Sequence, residues 1–256
     1  MERIIIICLF LLFLISSCKG PASPSKDYSG WRTYAGMKDG SRYSSNDQIN
    51  RNNVARLEIA WKYSSHDKDT GNRSQNQCNP IMVDGILYGT TPRLKLFALN
   101  AATGEQQWLF DPAQDDTAAG KDPFAFFKIS RGVAYWEDEA AKDKRIFYSV
   151  GSKTYCINAI DGKKVSSFGT NGFIDLSKNL DRDDGSNSFV AGTTPGIIYK
   201  DLLIIGARLS ESADAAPGHI RAYDVHNGKR RWIFHTIPHP GEFGYDTWTD
   251  KEAGKS

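Results

Sequence analysis

The chain has 256 residues, 40% of them hydrophobic and 24% charged, with 32 Lys and Arg against 30 Asp and Glu. That composition supports a buried core and excludes a disordered chain, and a net charge of +2 with no basic block argues against a nucleic-acid binder or an anionic-membrane binder. With 23 Gly, 10 Pro and 12% aromatics the chain is punctuated for many turns, and so for many short strands; four Cys are too few for a disulfide scaffold.

Taken in chain order, the first feature is a charged start at Arg3 followed by an apolar run over 4–15. The run is short for a bilayer span, which needs about 20 residues, and it suits the apolar part of a secretory signal. It ends in ISSC at 15–18, which resembles the bacterial lipobox, where the Cys becomes the new N-terminus and carries lipid. The expectation is a signal peptide over 1–17, lipid on Cys18, a flexible tether over 18–29 and a folded part over 30–256. The protein would then sit in the bacterial cell envelope, anchored to the membrane through that lipid, with its fold in the periplasm. An ordinary signal peptide or an uncleaved anchor is the alternative. Export would permit a disulfide between Cys78 and Cys156, while two unpaired buried thiols fit the sequence equally well.

The strongest internal signal is a repeat. Three segments share one turn: FALNAATGEQQW at 97–108, CINAIDGK at 156–163 continuing to Phe168, and AYDVHNGKRRW at 222–232. Each reads as a strand, a turn ending in Gly104, Gly162 or Gly228, and a second strand carrying an aromatic. Thr-Gly, Asp-Gly and Asn-Gly supply the positive φ of a tight hairpin. Upstream of each lies another strand signal, over 81–88, 145–150 and 197–205, and in the first and third a polar turn splits two apolar runs. No part of the chain after the apolar run keeps a helical period. The reading is all-β, with four antiparallel strands in each repeat of roughly 60 residues. That is a β-propeller in which three blades and part of another are present, as in the first half of a larger ring; a sandwich of similar hairpins is the alternative.

Other chemistry finds little support. His235 and His239 stand four apart, but Pro238 and Pro240 forbid a zinc-binding helix, so a rigid loop is expected. DRDDGSN at 181–187 has its Gly at the fifth place and no closing Glu at the twelfth, so it reads as a solvated turn and not a calcium loop. No Gly-x-Gly-x-x-Gly, Walker or Gly-x-Ser-x-Gly motif occurs.

The repeat resembles the tryptophan-docking motif of the pyrroloquinoline quinone (PQQ) dependent dehydrogenases, the eight-bladed quinoproteins. Trp108 and Trp232 fit the motif, while the middle copy departs, with Ser166 at the Trp position and Phe168 two residues later. WRTYAG at 31–36, DGSRYS at 39–44, QIN at 48–50 and the stretch 54–61 resemble the family's opening, which packs with the final blade to close the ring. The likeness runs from about Gly30 to Trp248 and is greatest to the sugar and polyol (glucose dehydrogenase-like) branch.

Several roles follow from the resemblance. Arg131, in SRGVAYW at 130–136, matches a segment whose Arg contacts PQQ, and a planar guanidinium suits a cofactor bearing three carboxylates and an ortho-quinone. Glu211 aligns with a carboxylate that binds Ca²⁺, a hard cation that takes oxygen ligands. Gln77 falls where some relatives carry a PQQ-contacting Glu, with a change of charge. Thr193 and Thr194 resemble hydroxyl residues that touch the cofactor's carboxylates. FAFF at 124–127 occupies the region where the methanol-type branch has adjacent cysteines, so that disulfide is absent.

Family members continue for several hundred residues past the repeat ending at Trp232. The resemblance therefore implies that the catalytic base, an Asn ligand to Ca²⁺ and a Trp beneath PQQ lie beyond Ser256, and that this chain alone is a fragment without activity. The implied function is oxidation of an alcohol or sugar, with electrons passing to a respiratory quinone or cytochrome c. The competing expectations are a lipid-anchored propeller scaffold for outer-membrane protein assembly, or an inactive quinoprotein remnant.

Overall fold

The computed structural model describes residues 28–71, 74–115, 129–181, 189–212, 215–251 and 253. These residues form fourteen strands and three short 3-10 turns, at Val54–Arg56, Pro112–Gln114 and Tyr245–Thr247. Twelve strands build three four-stranded antiparallel sheets. Blade I holds β1 (Ile81–Val83), β2 (Ile86–Thr90), β3 (Leu96–Asn100) and β4 (Gln106–Phe110). Blade II holds β5 (Ala134–Glu137), β6 (Lys144–Val150), β7 (Lys153–Asn158) and β8 (Phe173–Asp175). Blade III holds β10 (Ile197–Tyr199), β11 (Leu202–Ile205), β13 (Ile220–Asp224) and β14 (Arg230–Phe234). The remaining two strands, β9 (Val190–Ala191) and β12 (Arg208–Leu209), pair as a small ribbon beside blade III. The all-β propeller reading holds, and the described residues form part of a ring.

One turn is built three times from the same atoms. Asn100, Asn158 and Asp224 end the third strand of their blades, and the side-chain Oδ1 of each accepts the backbone N–H two residues on, at 2.8–2.9 Å. Their carbonyls accept the N–H of Gly104, Gly162 and Gly228 at 2.8, 3.0 and 2.8 Å. These glycines sit at φ 74, 72 and 70°, a left-handed conformation that a side chain would strain.

The residue after each Asn or Asp offers the carbonyl on which the preceding unit docks. The Trp61 indole N–H donates to Ala101 O, and the Trp108 indole N–H to Ala159 O, both at 3.1 Å. At the matching Val225 no tryptophan arrives. Arg145 donates to Val225 O at 2.8 Å and to His226 O at 3.0 Å, its guanidinium held by Asp143. The turn glycine beneath each dock has no room for a Cβ: at Gly104 it would lie 2.5 Å from Trp61, at Gly162 2.7 Å from Trp108, and at Gly228 2.6 Å from Gly169 N.

The middle repeat departs from expectation. Phe168 lies on no strand; Lys164 makes only an isolated bridge to Ile157, and the fourth strand forms later, at Phe173–Asp175. A tight loop absorbs the intervening residues, with Phe168 N–H donating to Val165 O, and turns Gly169 N–H toward Asn227 O at 2.9 Å. Main chain thus replaces the missing indole, and Phe168 is buried inward against Phe147.

Two apolar clusters lie between neighbouring blades. One packs Ile81, Leu96 and Tyr88 of blade I on Tyr135, Tyr148 and Ile157 of blade II. The other packs Trp136, Phe147 and Cys156 of blade II on Leu203, Ile205 and Tyr223 of blade III. The opening residues join blade I: Met82 N–H donates to Trp31 O at 2.8 Å, and Arg32 bridges Asp84 and Glu137 at 2.9 and 2.6 Å. Cys78 and Cys156 are both free thiols.

Candidate functional site

The site is set by how the three blades meet at the start of their first strands. Asn79 N–H donates to Arg131 O at 3.0 Å, and Arg131 N–H donates to Thr193 O at 2.8 Å. Asn79 and Gly132 form a parallel bridge. Residues 77–80, 130–132 and 193–195 therefore make one belt across three blades, directly ahead of β1, β5 and β10. Gly132 is required within it, since at φ 150° a Cβ would stand 3.0 Å from Asn79 O. Three of the predicted segments, carrying Gln77, Arg131 and the Thr193–Thr194 pair, are brought together by this main chain.

Arg131, Gln77 and Thr194 are exposed on the belt and Thr193 is half-buried. The Gln77 amide donates to Gln75 Oε1 at 2.7 Å. Among the described residues, the Arg131 guanidinium has no hydrogen-bond or ion-pair partner. Two buried arginines, by contrast, are committed to structure. Arg145 docks blade III, and the buried Arg221 donates to Leu176 O at 2.7 Å and Lys178 O at 3.0 Å.

Glu211 arrives by another route. Strand direction alternates, so the connections between second and third strands lie at the belt end of each blade. In blade III that connection carries β12 and then Glu211, which is exposed. β12 pairs with β9, placing Arg208 opposite Ala191 and Leu209 opposite Val190, and β9 runs directly into Gly192 and Thr193. The ribbon is pressed on blade II, because Gly192 N–H donates to Gly151 O at 2.8 Å and a Cβ there would lie 2.3 Å from Ser149. A guanidinium, two hydroxyls, an amide and a carboxylate thus sit on segments at one end of the blades. This donor set fits a ligand rich in carboxylate and carbonyl oxygens together with a hard cation.

A second group of polar side chains went unread in the sequence. His219, just before β13, meets His235, just after β14, and His239 in the loop beyond. The 235–239 segment is a loop, as the prolines require, but a third histidine from the neighbouring strand completes a cluster. The pairing of Ile220 with Phe234 places 219 opposite 235, a register that includes a bulge between Ala222 and Tyr223 and so could not be counted off from the turn glycine. Burial, reinforced by the adjacent histidines, pushes His219 down to about 4.

Cys18, residues 124–127 and residues 182–187 lie outside the described residues.

The family model for the β-propeller domain of PQQ glucose/ethanol/alcohol dehydrogenases matches residues 31–256. The dehydrogenase subunit of a quinone-linked alcohol dehydrogenase of Gluconobacter oxydans is 35% identical over 225 residues, covering 86% of this chain and 27% of that protein. A quinoprotein glucose dehydrogenase of the same organism is 31% identical, covering 89% and 30%. A quinate/shikimate dehydrogenase (quinone) of Acinetobacter baylyi is 30% identical, covering 84% and 28%. Among solved structures, a quinohemoprotein alcohol dehydrogenase of Pseudomonas putida HK5 superposes with a TM-score of 0.62 at 25% identity, over 83% of this chain and 27% of that one. The chain spans less than a third of the length of these relatives. With the repeated blades, the docked tryptophans and this match, the chain belongs to the PQQ-dependent glucose/ethanol/alcohol dehydrogenase β-propeller family.

Proposed function

We propose that this chain is the N-terminal part of a PQQ- and Ca²⁺-dependent dehydrogenase that oxidises a sugar, polyol or other alcohol and passes the electrons to a respiratory quinone or cytochrome c. The observation that carries the reading is Arg131: its backbone is fixed by neighbouring blades on both sides, while its guanidinium has no partner among the described residues. An arginine spent on rigidity, such as Arg145, has its donors filled by the protein; Arg131 is positioned and left open.

In this reading Arg131 takes a carboxylate or quinone oxygen of the cofactor in paired hydrogen bonds, and Thr193 and Thr194 offer hydroxyls to its carboxylates. Gln77 contributes an amide in place of a charge, and Glu211 supplies one carboxylate oxygen to Ca²⁺. Bound PQQ would supply the two-electron oxidant. The general base that takes the alcohol proton is assigned beyond Ser256, so none of these five residues is given that role. Cys18 would hold the assembly to the membrane by its lipid, with 18–29 as tether and the propeller in the periplasm.

The test joins this chain to the blades that complete its ring and follows PQQ binding through tryptophan fluorescence with Ca²⁺ present. Charged hydrogen bonds contribute roughly 1.5–3 kcal/mol, so Arg131→Ala should weaken PQQ by about 10–100-fold. Arg131→Lys should fall between, because it keeps the charge and loses the planar fork. A completed ring that never takes up PQQ with Ca²⁺ present would overturn the proposal.

A further inference from the structure

His219, His235 and His239 stand apart from every role assigned above. Each offers a ring nitrogen, and these three atoms lie within 4.8 Å of one another. The rings of His235 and His239 stack at 3.8 Å, and His219 meets His235 edge-on at 4.6 Å. His219 is only 3% exposed, yet among the described residues neither of its ring nitrogens has a hydrogen-bond partner, and the buried Nε2 of His239 has none either. Three unsatisfied imidazole nitrogens in one buried spot are costly for a protein to keep unless something completes them.

The neighbouring acids act on the outside of the cluster. Glu242 Oε1 lies 2.7 Å from His235 Nδ1, and its Oε2 accepts the His239 backbone N–H at 2.7 Å. A carboxylate on one imidazole nitrogen orients the ring and turns the other nitrogen toward a ligand, the usual outer arrangement of a histidine metal site. That other nitrogen, His235 Nε2, has Asp181 Oδ2 at 3.4 Å, and Asp181 is itself held by Arg230 at 2.9 Å. An oxygen donor therefore stands beside one of the three nitrogens, outside the cluster of the three imidazoles.

We propose that His219, His235 and His239 form a binding site for a divalent transition-metal ion of the zinc class, with Asp181 or a water completing four-fold coordination. Imidazole donors favour such an ion, whereas Ca²⁺ seeks oxygen. Zinc–nitrogen bonds of about 2.0–2.1 Å require the three nitrogens to draw in by roughly an ångström. The loop carrying His239 is free of strand pairing and can supply that movement. The ion would fasten the start of β13 to the end of β14. It would also fix the far end of the connection that carries Glu211, making it a structural site beside the proposed cofactor site.

The experiment uses the full chain without a histidine tag, cleared of metal and titrated with Zn²⁺ in excess Ca²⁺, then with Co²⁺ as a coloured substitute. The expected result is one tightly bound ion per chain, the visible absorption of tetrahedral Co²⁺, and a rise in melting temperature with Zn²⁺. His239→Ala, in the loop, should weaken Zn²⁺ at least tenfold with unchanged circular dichroism, and His219→Gln should remove the Co²⁺ bands. Zn²⁺ uptake no greater than that of the His219/His235/His239 triple variant, or uptake undiminished in His239→Ala, would overturn the proposal and leave the imidazoles solvated by water alone.

Discussion

The junction between blades I and II and the junction between II and III solve one problem in different ways. In the first, an indole from β4 crosses to the next blade, seats on the turn at Gly162 and donates to Ala159 O. In the second, Ser166 holds the tryptophan's place, and the work is divided. Arg145 supplies the donor to Val225 O, and the main chain of Gly169 fills the space over Gly228. The receiving blade is the same in both cases: a carbonyl after an Asn or Asp, then a left-handed glycine. What varies is the donor, so the conserved geometry belongs to the socket and the plug can be exchanged. Trp232 has the plug's chemistry, but its side is 39% exposed, with Phe234 at 59% and Ile197 at 64% on the same blade.

The largest predicted effect breaks the first junction. Trp108→Ala removes a packed indole and its hydrogen bond and should lower stability by about 2–3 kcal/mol, read from the urea midpoint. The equivalent Trp232→Ala should cost less, about 1 kcal/mol in this chain, because that ring is 39% exposed and seats on no turn glycine among the described residues. Equal losses for the two variants would show that docking is not what Trp108 contributes.

A smaller effect separates the turn from the dock. Gly85 and Gly162 have nearly the same φ, 77 and 72°, but a Cβ at Gly85 meets nothing within 4 Å while one at Gly162 meets Trp108 at 2.7 Å. Gly85→Ala should cost about 1 kcal/mol from backbone strain alone, and Gly162→Ala about 2–3. In a Trp108→Ala background the second figure should fall to the first, and a double-mutant cycle measures the difference.

These residues also show how far the sequence could be read. The turn glycines and one docking tryptophan, Trp108, were legible because a left-handed turn admits few residues and an indole is rare enough to mark a position; Trp61 was named only within the opening stretch. The middle copy was not: Phe168 looked like a shifted aromatic plug, but a main-chain loop had taken the plug's place, and backbone leaves no signature in composition. Arg131, Gln77, Thr193 and Thr194 were named by resemblance to a family. Why they should converge follows from their equivalent places ahead of the first strand in three blades, which the repeat implied. His219 was missed because its partners are reached across a strand pair, and the rejected helical spacing of His235 and His239 was the wrong period to test.

The second junction can be probed by its own thiol. Cys156 is buried between blades II and III, and burial pushes its thiol up to about 12, against the opposing pull of Arg145. Cys78 is half-buried and accepts the Thr90 N–H at 3.2 Å; burial raises it as well. At pH 8 a thiol reagent should label Cys78 in the native chain and reach Cys156 only when blades II and III part. The rate at Cys156 then reports opening of the junction that lacks a docking tryptophan, and it should rise with Gly228→Ala but not with Gly162→Ala. The same displacement sets an alkaline limit. An unfolded thiol ionises near 8.5–9 while the folded one stays protonated to about 12, so stability is complete below pH 8.5 and falls as pH rises toward 12. By pH 10 the loss should be on the order of 1 kcal/mol, and Cys156→Ala should flatten that slope. An unchanged slope in the variant, or native labelling of Cys156 as fast as Cys78, would mean that the arginine-and-glycine junction opens freely. It would then be the weaker of the two.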